Sequence, residues 1–253
     1  MTALRSADIA LVPQNVTSDV TDNVTKDVTM LDRALEHADP AEIIAAAAQK
    51  VGPGKLALVS SFGTESAVLL AYMAQVDPSI PVIFLDTGWL FEETLAYRDQ
   101  LTRQLGLADV RTVHPDEVRL GELDKDRDLW FSDPDACCRI RKVEPLARAL
   151  AGFDGWLNGR KRYQGGLRVA IPVVEREGGR LKFNPLARFV RADIEAAHRR
   201  FRLPDHPLVA KGFASVGCMP CTSRAQADED ARAGRWRGRA KTECGIHTLL
   251  NTL

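Results

Sequence analysis

The sequence predicts an α/β fold, with an open, mostly parallel sheet, helices on both of its faces and a loop-rich C-terminal segment. Short apolar runs alternate with segments of helical periodicity between residues 31 and 205, a pattern typical of parallel strands joined by helices. Polar turns follow the first two apolar runs, where such sheets bind their ligands. Residues 206–253 are instead rich in Gly, Pro, Cys and Arg, which indicates loops.

The helices and strands follow from apolar spacing and from breaker residues. An apolar stripe predicts a first helix over 31–50, which Gly52-Pro53-Gly54 ends. Short apolar runs bounded by polar residues or glycine predict four strands, at 56–59, 80–85, 110–113 and 154–158. Helical spacing predicts further helices, at 67–76, at about 89–105 and at 192–201. The acidic stretch 116–135 indicates a solvated loop or helix surface.

Residues 1–30 differ in composition from the rest of the chain. Val-Thr pairs recur every four residues from Val16 to Thr29, and the stretch contains no aromatic residue. Val and Thr are weak helix formers, and the polar composition favours a mobile leader. We therefore predict a leader at 1–30, an α/β domain at 31–205 and a C-terminal segment at 206–253.

The composition argues against several classes of protein. The 34 basic and 34 acidic side chains give a formal net charge of zero, so we expect no nucleic-acid partner and no membrane-surface binding. No apolar run reaches the roughly 18 residues of a membrane span, and no apolar segment follows a basic start as in a secretory signal. Five cysteines are too few for a disulfide scaffold, and we expect a cytoplasmic protein whose cysteines serve metal binding or thiol chemistry.

The turn after the first predicted strand is Ser60-Ser61-Phe62-Gly63-Thr64-Glu65-Ser66. Small residues before a helix let backbone N–H groups approach an anion, although an ordinary capped turn has the same composition. The turn lacks the Gly-Lys-Ser/Thr ending of a Walker A loop. Asp86-Thr87-Gly88 follows the second strand, so both turns face one crevice if the two strands are neighbours.

That first turn resembles the SGGxDS loop of the adenine-nucleotide α-hydrolase-like superfamily, which holds pyrophosphate. Here Phe62 stands at the second Gly position and Glu65 at the Asp position. A bulky Phe is expected to narrow the room for pyrophosphate. We therefore expect a smaller or differently placed anion, such as a sulfate mixed anhydride.

Four of the cysteines form two close pairs. Cys137 and Cys138 are adjacent, and Cys218 and Cys221 form a Cys-x-x-Cys pair, which together make a common four-thiolate set. Neighbouring residues rarely both reach one small tetrahedral ion such as zinc. A [4Fe–4S] cluster has four separate corners, so neighbouring cysteines can bind different irons. The donor set thus favours a cluster, while zinc and dispersed core or redox cysteines stay open as alternatives.

Cys244 is the fifth cysteine, and it follows a basic stretch. Residues 232–241 hold five basic side chains and no acid, and nearby cations favour the nucleophilic thiolate. The alternative is a solvated basic tail with an incidental cysteine. Two further basic runs lie at 139–142 and 160–168. Since guanidinium forks suit phosphate and sulfate oxygens, the three runs indicate a convergent anion site.

Taken together and in this order, six segments resemble the assimilatory adenylyl-sulfate (APS) reductases of the APS/PAPS reductase family. They are SSFGTES at 60–66, LDTG at 85–88, CCRIRKVEPL at 137–146, GFASVGCMPCT at 212–222, AGRW at 233–236 and KTECGIH at 241–247. The resemblance implies an adenine-nucleotide α-hydrolase-like sheet. It also implies an oxidoreductase of sulfate assimilation and cysteine biosynthesis that reduces adenylyl sulfate to sulfite and AMP with thioredoxin.

The resemblance also assigns residues to roles. It implies a [4Fe–4S] cluster on Cys137, Cys138, Cys218 and Cys221, and Cys244 as the nucleophile on a mobile C-terminal segment. It further implies a set of substrate-binding residues: Ser60, Ser61, Phe62, Gly63, Leu85, Thr87, Gly88, Lys142, Arg168, Arg232, Arg235 and His247. One departure from the family concerns Lys161, which stands where the family often has Arg, so its role is left open.

In the implied reaction the Cys244 thiolate attacks the sulfur, and a dithiol protein, thioredoxin or glutaredoxin-like, releases sulfite from the S-sulfocysteine. The nearest alternative is the 3′-phosphorylated substrate (PAPS), but relatives that use it commonly lack the two cysteine pairs. More remote alternatives are an ATP-pyrophosphatase-type RNA thiolase and a non-catalytic Fe–S or zinc protein. The sequence is also compatible with a homo-oligomer.

Overall fold

The computed structural model describes residues 26–226, 229–230 and 232–247. The predicted leader lies outside the described residues except for 26–30, which are helical and belong to helix α1 (26–35). The boundary predicted after residue 30 therefore falls inside a helix. Val28, Leu31 and Leu35 of α1 pack against the hydrophobic core, so the α/β body includes this helix.

The single helix predicted at 31–50 is wrong, because the chain forms two helices there. Helix α2 (Pro40–Val51) begins after a turn, and the Asp39 side chain accepts a hydrogen bond from the Ala41 N–H at 2.9 Å. Glu42 reaches back to the Asp39 N–H at 2.9 Å, which completes a capping box. Pro40 occupies the first turn, where its missing N–H has no cost.

The remaining strands and helices are, in order, β1 (Leu56–Ser60), α3 (Ser66–Val76), β2 (Val82–Leu85), α4 (Glu92–Leu105), β3 (Val110–Val113), α5 (Glu117–Leu123), α6 (Leu129–Ser132), α7 (Pro134–Cys138), α8 (Glu144–Ala149), β4 (Gly155–Leu157), β5 (Val174–Glu177), β6 (Arg180–Phe183) and α9 (Arg191–Phe201). Strands and helices alternate from β1 to β3, and four short helices precede β4. A π-helical turn over Arg139–Val143 joins α7 to α8. The acidic stretch 116–135 thus consists largely of short helices.

Within the described ranges, six strands form one sheet in the order β3-β2-β1-β4-β6-β5. All neighbouring pairs are parallel except β5 and β6, which form an antiparallel hairpin at one edge. The predicted open, mostly parallel sheet is therefore confirmed. The predicted neighbours β1 and β2 pair directly, with Leu58 opposite Val82, so the turns after them lie at the same edge of the sheet.

Helices cover both faces of the sheet. Leu56 and Leu58 of β1 belong to the larger core cluster, which includes residues of α2, α3, α4 and α9, whereas Ala57 belongs to a smaller cluster. That smaller cluster contains Leu146 of α8 and Trp156 of β4. Successive residues of a strand point to opposite faces, which explains why β1, β2 and β4 contribute to both clusters.

The C-terminal segment folds back over the carboxyl edge of the sheet. The Thr64 hydroxyl donates to the Ala214 carbonyl oxygen at 2.9 Å, and the Met219 N–H donates to the Trp89 carbonyl oxygen at 2.7 Å. These bonds hold the segment against the turns that follow β1 and β2. Across the described ranges, no helix is long and apolar enough to cross a membrane.

Candidate active site

A cleft of about 210 Å³ lies at the carboxyl edge of β1 and β4. Its lining comes from the turn after β1, the segment after β4 and the C-terminal segment. Ten of the predicted site residues line it: Ser60, Ser61, Gly63, Leu85, Lys142, Arg168, Arg232, Arg235, Cys244 and His247. Residues that are distant in sequence therefore meet around one space.

The turn after β1 is organised by its own hydroxyl groups. The Phe62 N–H donates to Ser60 Oγ at 3.1 Å, and the Gly63 N–H donates to Ser66 Oγ at 3.0 Å. A Cβ at Gly63 would lie 3.2 Å from the Val216 carbonyl oxygen. Glycine is thus needed for the close approach of the C-terminal segment, and the two serine hydroxyls hold the turn open toward the cleft.

Phe62 does not line the cleft, which corrects its predicted role. Its φ angle is 47°, and its side chain is fully buried with its ring centroid 5.4 Å from that of Phe84. The left-handed backbone at Phe62 turns the side chain into the core. The expectation that this ring narrows the room for a pyrophosphate is therefore wrong.

Glu65 and Lys161 form a buried ion pair beside the cleft. Lys161 Nζ lies 2.8 Å from Glu65 Oε2 and donates to the Gly159 carbonyl oxygen at 3.0 Å. Gln164 and Tyr163 also donate to the Glu65 carboxylate. Burial alone would raise the pKa of Glu65, but Lys161 and these hydrogen bonds outweigh it and hold the pKa low. In this arrangement the Glu65 carboxylate neutralises the charge of Lys161.

Two arginines of the cleft converge on a carboxylate of the C-terminal segment. Arg168 Nε and Nη2 lie 2.6 and 2.8 Å from the two Glu243 oxygens, and Arg232 Nη2 lies 3.5 Å from one of them. Burial raises the pKa of Glu243, yet the hydrogen bonds and charges of these arginines outweigh it, so the pKa lies below its usual range. Burial, with Arg168 nearby, lowers the pKa of Arg232 to about 10.

Cys244 directly follows this carboxylate and lines the cleft as a half-buried free thiol. Three residues later, the His247 ring stacks on Trp156 with centroids 6.0 Å apart and planes 1° apart. His247 Nδ1 is buried without a hydrogen-bond partner among the described residues. Burial and the charge of Lys182 lower the pKa of His247 well below its usual value, so this ring is neutral at pH 7.

The two predicted cysteine pairs surround one small pocket next to the cleft. Its lining contains all four thiols together with three cations, and it includes Cys137, Cys138, Cys218, Cys221, Arg141, Lys142 and Arg235. Lys142, Arg235 and Trp236 line both this cysteine pocket and the cleft. The two spaces thus share a wall that carries two positive charges.

Arg235 occupies its place in this wall because Gly217 leaves room for it. A Cβ at Gly217 would lie 2.1 Å from Arg235 Nη2. The guanidinium lies over the Trp236 ring at 4.6 Å from the centroid and donates to the Val216 carbonyl oxygen at 3.3 Å. Stacking and hydrogen bonding together fix the direction of the fork.

The thiols of the cysteine pocket differ in their protonation. Burial raises the pKa of Cys137 to about 11 and that of Cys138 to about 12. Burial acts in the same direction on Cys218, but Lys142, the Thr87 hydroxyl and Arg235 outweigh it and lower its pKa. Burial would lower the pKa of Lys142, yet the neighbouring thiolates outweigh burial and raise it, so Lys142 stays charged.

Thr87 and Gly88 lie beside the cysteine pocket, whereas they were predicted to bind substrate. Thr87 Oγ1 is 3.2 Å from Cys218 Sγ, and the Thr87 carbonyl oxygen accepts from Arg141 at 2.8 Å. Arg141 in turn pairs with the buried Asp124 at 2.5 Å. The turn after β2 therefore contacts the cysteine pocket, and the Gly88 N–H donates to Asp86 Oδ1 at 3.0 Å within this turn.

Several residues of the site were not predicted from the sequence. Glu243 stood out only as an acid next to a basic stretch, and Trp156 had the pattern of an ordinary core strand. Asn158 and Arg160 line the cleft, and the Asn158 side chain accepts from the Arg160 N–H at 3.2 Å. The sequence signal for these two residues was the Asn158-Gly159 pair directly after β4, which is typical of a loop at the carboxyl end of a strand.

In the part of the chain that the structure describes, no group of three or more His, Cys, Asp or Glu side chains is arranged around a single metal ion. The four thiols nonetheless line the same pocket, and all are free. Three cations in the same lining offset the negative charge that several thiolates would bring together. This donor set therefore fits a thiolate-bound cluster.

The fold and the site define an α/β protein with a mostly parallel sheet, in which a cysteine faces a cation-lined cleft at the carboxyl edge of the strands. The sequence profile of the phosphoadenosine phosphosulfate reductase domain matches residues 55–224, and the chain belongs to this family. It is 48% identical to an adenosine 5′-phosphosulfate reductase of Mesorhizobium japonicum, over 93% of this chain and 92% of that protein. It is 53% identical to the corresponding protein of a Chelativorans species, over 77% and 79%.

A solved structure gives the same fold. The phosphoadenylyl-sulfate reductase of Candida auris, in a phosphate complex, aligns with a TM-score of 0.67 at 25% identity. The alignment covers 78% of this chain and 96% of that one. The family expected from the six sequence segments is thus confirmed.

Proposed function

We propose that this protein reduces adenylyl sulfate to sulfite and AMP in sulfate assimilation. The observation that carries this proposal is the position of Cys244, which lines the cleft beside Arg168, Arg232, Arg235 and Lys142. A thiol among cations is suited to attack an anionic sulfur centre. The names of the relatives at 48% and 53% identity support this choice of substrate.

In the first step, the Cys244 thiolate forms a bond to the sulfur of adenylyl sulfate, and the sulfur–oxygen bond to the AMP phosphate breaks. The electron pair of that bond leaves with AMP, and the enzyme keeps an S-sulfocysteine. Because an anion attacks an anion, the barrier is partly electrostatic. The charges of Lys142 and Arg235 lower that barrier and stabilise the leaving phosphate.

In the second step, a dithiol protein such as thioredoxin attacks the Cys244 sulfur and displaces sulfite. A mixed disulfide forms, and the second thiol of the partner resolves it. The partner leaves oxidised, and the Cys244 thiol is restored. This step requires a reducing compartment, and we therefore place the protein in the cytoplasm, where cysteines are kept out of disulfides.

We further propose that Cys137, Cys138, Cys218 and Cys221 hold a [4Fe–4S] cluster. Support comes from the pocket that all four thiols line. A bound cluster would supply a fixed charge distribution behind Lys142 and Arg235. Anaerobic purification should give a brown protein with about four irons and four sulfides per chain. A colourless protein, or one zinc ion per chain, would contradict this assignment.

The central prediction is that Cys244→Ser abolishes AMP formation from adenylyl sulfate. The hydroxyl is not ionised at neutral pH and is a far weaker nucleophile than a thiolate. The measurement is single-turnover AMP release, with thermal unfolding as the control for folding. If the variant formed AMP at the wild-type rate, the covalent mechanism would be wrong.

The second candidate substrate is the 3′-phosphorylated form, because the Candida auris protein of the same fold is named a phosphoadenylyl-sulfate reductase. Both nucleotides carry the same phosphosulfate, so the cleft chemistry is shared. Comparing kcat/KM for the two nucleotides with one dithiol partner decides between them. We expect the ratio to favour adenylyl sulfate.

A further inference from the structure

Glu243 holds two of the guanidinium groups of the cleft, those of Arg168 and Arg232, in the way that an anionic ligand would. Arg168 donates through Nε and Nη2 to both carboxylate oxygens, at 2.6 and 2.8 Å. Such bidentate pairing is the geometry in which arginine binds carboxylate, phosphate and sulfate alike. The side chains of Arg168 and Glu243 are only 10% and 11% exposed, so the pair is enclosed.

From this pairing we propose that Glu243 is a competing internal anion, which the substrate sulfate or phosphate displaces from Arg168 and Arg232. The inference rests on the proposed function, because it takes the phosphosulfate as the ligand of these arginines. A guanidinium fork that serves the Glu243 carboxylate in a bidentate pair has few N–H groups left for a second anion. Substrate affinity is therefore lower than the arginines alone would give.

Displacement of Glu243 moves the nucleophile, because Cys244 is the next residue. On one side of this pair, Lys241 forms an ion pair with Asp135. On the other side, the His247 ring stacks on Trp156. Glu243 and Cys244 lie between these two attachments, so anion binding at the arginines resets the position of Cys244. Glu243 is thus a positioning residue.

The Glu243→Gln variant tests this inference, since the amide keeps the size of the side chain and removes its charge. Neutral hydrogen bonds are weaker than charge-assisted ones, so we expect inorganic sulfate to bind Glu243→Gln roughly tenfold more tightly than wild type. Glu229→Gln is the matched control, because Glu229 also makes a bidentate pair, with Arg237 at 2.9 and 2.6 Å, but outside the cleft. Titration calorimetry measures the dissociation constant of inorganic sulfate for wild type, Glu243→Gln and Glu229→Gln.

A second readout, limited proteolysis, follows the chain itself in the wild-type protein and in the same two variants. We expect sulfate to speed tryptic cleavage after Lys241 in the wild-type protein, because displacement of Glu243 loosens this stretch. In Glu243→Gln, cleavage should already be fast and respond little to sulfate. Glu229→Gln should behave as wild type does.

The outcomes separate the inference from the proposed function. Equal sulfate affinity in wild type and Glu243→Gln, or cleavage after Lys241 that ignores sulfate in the wild-type protein, would overturn the role of Glu243. Adenylyl sulfate is titrated in parallel into Cys244→Ser, which cannot turn it over. Absence of adenylyl-sulfate binding there, with the sulfate results as expected, would leave Glu243 as an anion competitor and reject the proposed substrate.

Discussion

Lys142 is the side chain whose charge links the cleft to the cysteine pocket. We predict that Lys142→Met lowers kcat/KM for AMP formation by about a hundredfold, since removing one preorganised charge from a transition state has an effect of this order. The variant keeps the aliphatic stem and removes only the ammonium group. Steady-state kinetics with adenylyl sulfate measures the effect.

The control for this prediction is Lys211→Met, because Lys211 is an exposed lysine paired with Glu93 at 2.7 Å. It should retain wild-type kinetics. Iron content is measured in both variants, so that loss of a cofactor can be told from loss of a charge. A Lys142→Met enzyme with full iron and unchanged kcat/KM would contradict the role given to Lys142.

At the scale of residues, the sequence indicated the chemistry of the site better than the direction of its side chains. The cysteine pairs and the three basic runs were visible from residue type and spacing, and the resemblance to the family then assigned individual thiols and cations to the site. Phe62, Thr87 and Gly88 were misplaced, since the direction of a side chain in a turn depends on backbone angles that a single sequence does not reveal. The φ of 47° at Phe62 is the clearest case.

Among the helices, α2 depends on the cap at its first residue. We predict that Asp39→Ala lowers the free energy of unfolding by about 1 kcal/mol, the usual effect of removing an N-cap side chain. The loss arises because the Ala41 N–H is left without the Asp39 carboxylate. Urea unfolding of the variant measures it.

Asp126→Ala serves as the control for the cap, because Asp126 is an exposed acid in a turn. It should change the unfolding free energy by less than about 0.5 kcal/mol. If Asp39→Ala were as stable as this control, the capping box would have no energetic role.

At the scale of elements, the parallel strands were predictable because each is a short buried apolar run between polar turns. The hairpin of β5 and β6 was missed, since its strands carry charged residues such as Glu175 and Lys182. Its signal was the Gly178-Gly179 turn, where both φ angles are positive, at 56° and 77°. The break before α2 does have a sequence signal, an N-cap acid followed by a first-turn proline at Asp39-Pro40, but the apolar spacing on either side of it predicted a single helix.

At the scale of the whole molecule, His206 ties the C-terminal segment to the α/β body. Its ring is buried, with Nε2 3.1 Å from Thr94 Oγ1 of α4, and its Nδ1 accepts from the Leu208 N–H at 3.2 Å. Burial lowers its pKa from 6.5 to about 4. Since Nδ1 already accepts a hydrogen bond, a proton there would break the contact.

The pH dependence of stability follows from this lowered pKa. Above pH 6.5 His206 is neutral in both the folded and the unfolded chain, and the stabilisation that the buried neutral ring gives the fold is fully present. Between pH 6.5 and about 4 only the unfolded chain takes up the proton. The free energy of unfolding therefore decreases as the pH is lowered through this range, by roughly 2–3 kcal/mol in total. Unfolding free energies measured across this range should show the loss.

The variant His206→Gln should be less stable than wild type at pH 7 and should lose less stability between pH 6.5 and 4. His37→Gln, at an exposed position, is the matched control and should keep the wild-type slope. Parallel curves for wild type and His206→Gln would show that His206 does not link stability to pH.

The strand order also determines what a growing chain can do on the ribosome. β1 pairs on one side with β2, which follows it closely, but on the other side with β4, where Leu56 meets Gly155. The central strand therefore waits with one edge open while about a hundred residues are made, the kind of non-local pairing that slows folding. Cys137 and Cys138 emerge well before Cys218 and Cys221, and Cys244 follows them all. All six described strands and the four thiols of the cysteine pocket are thus synthesised before the proposed nucleophile, Cys244.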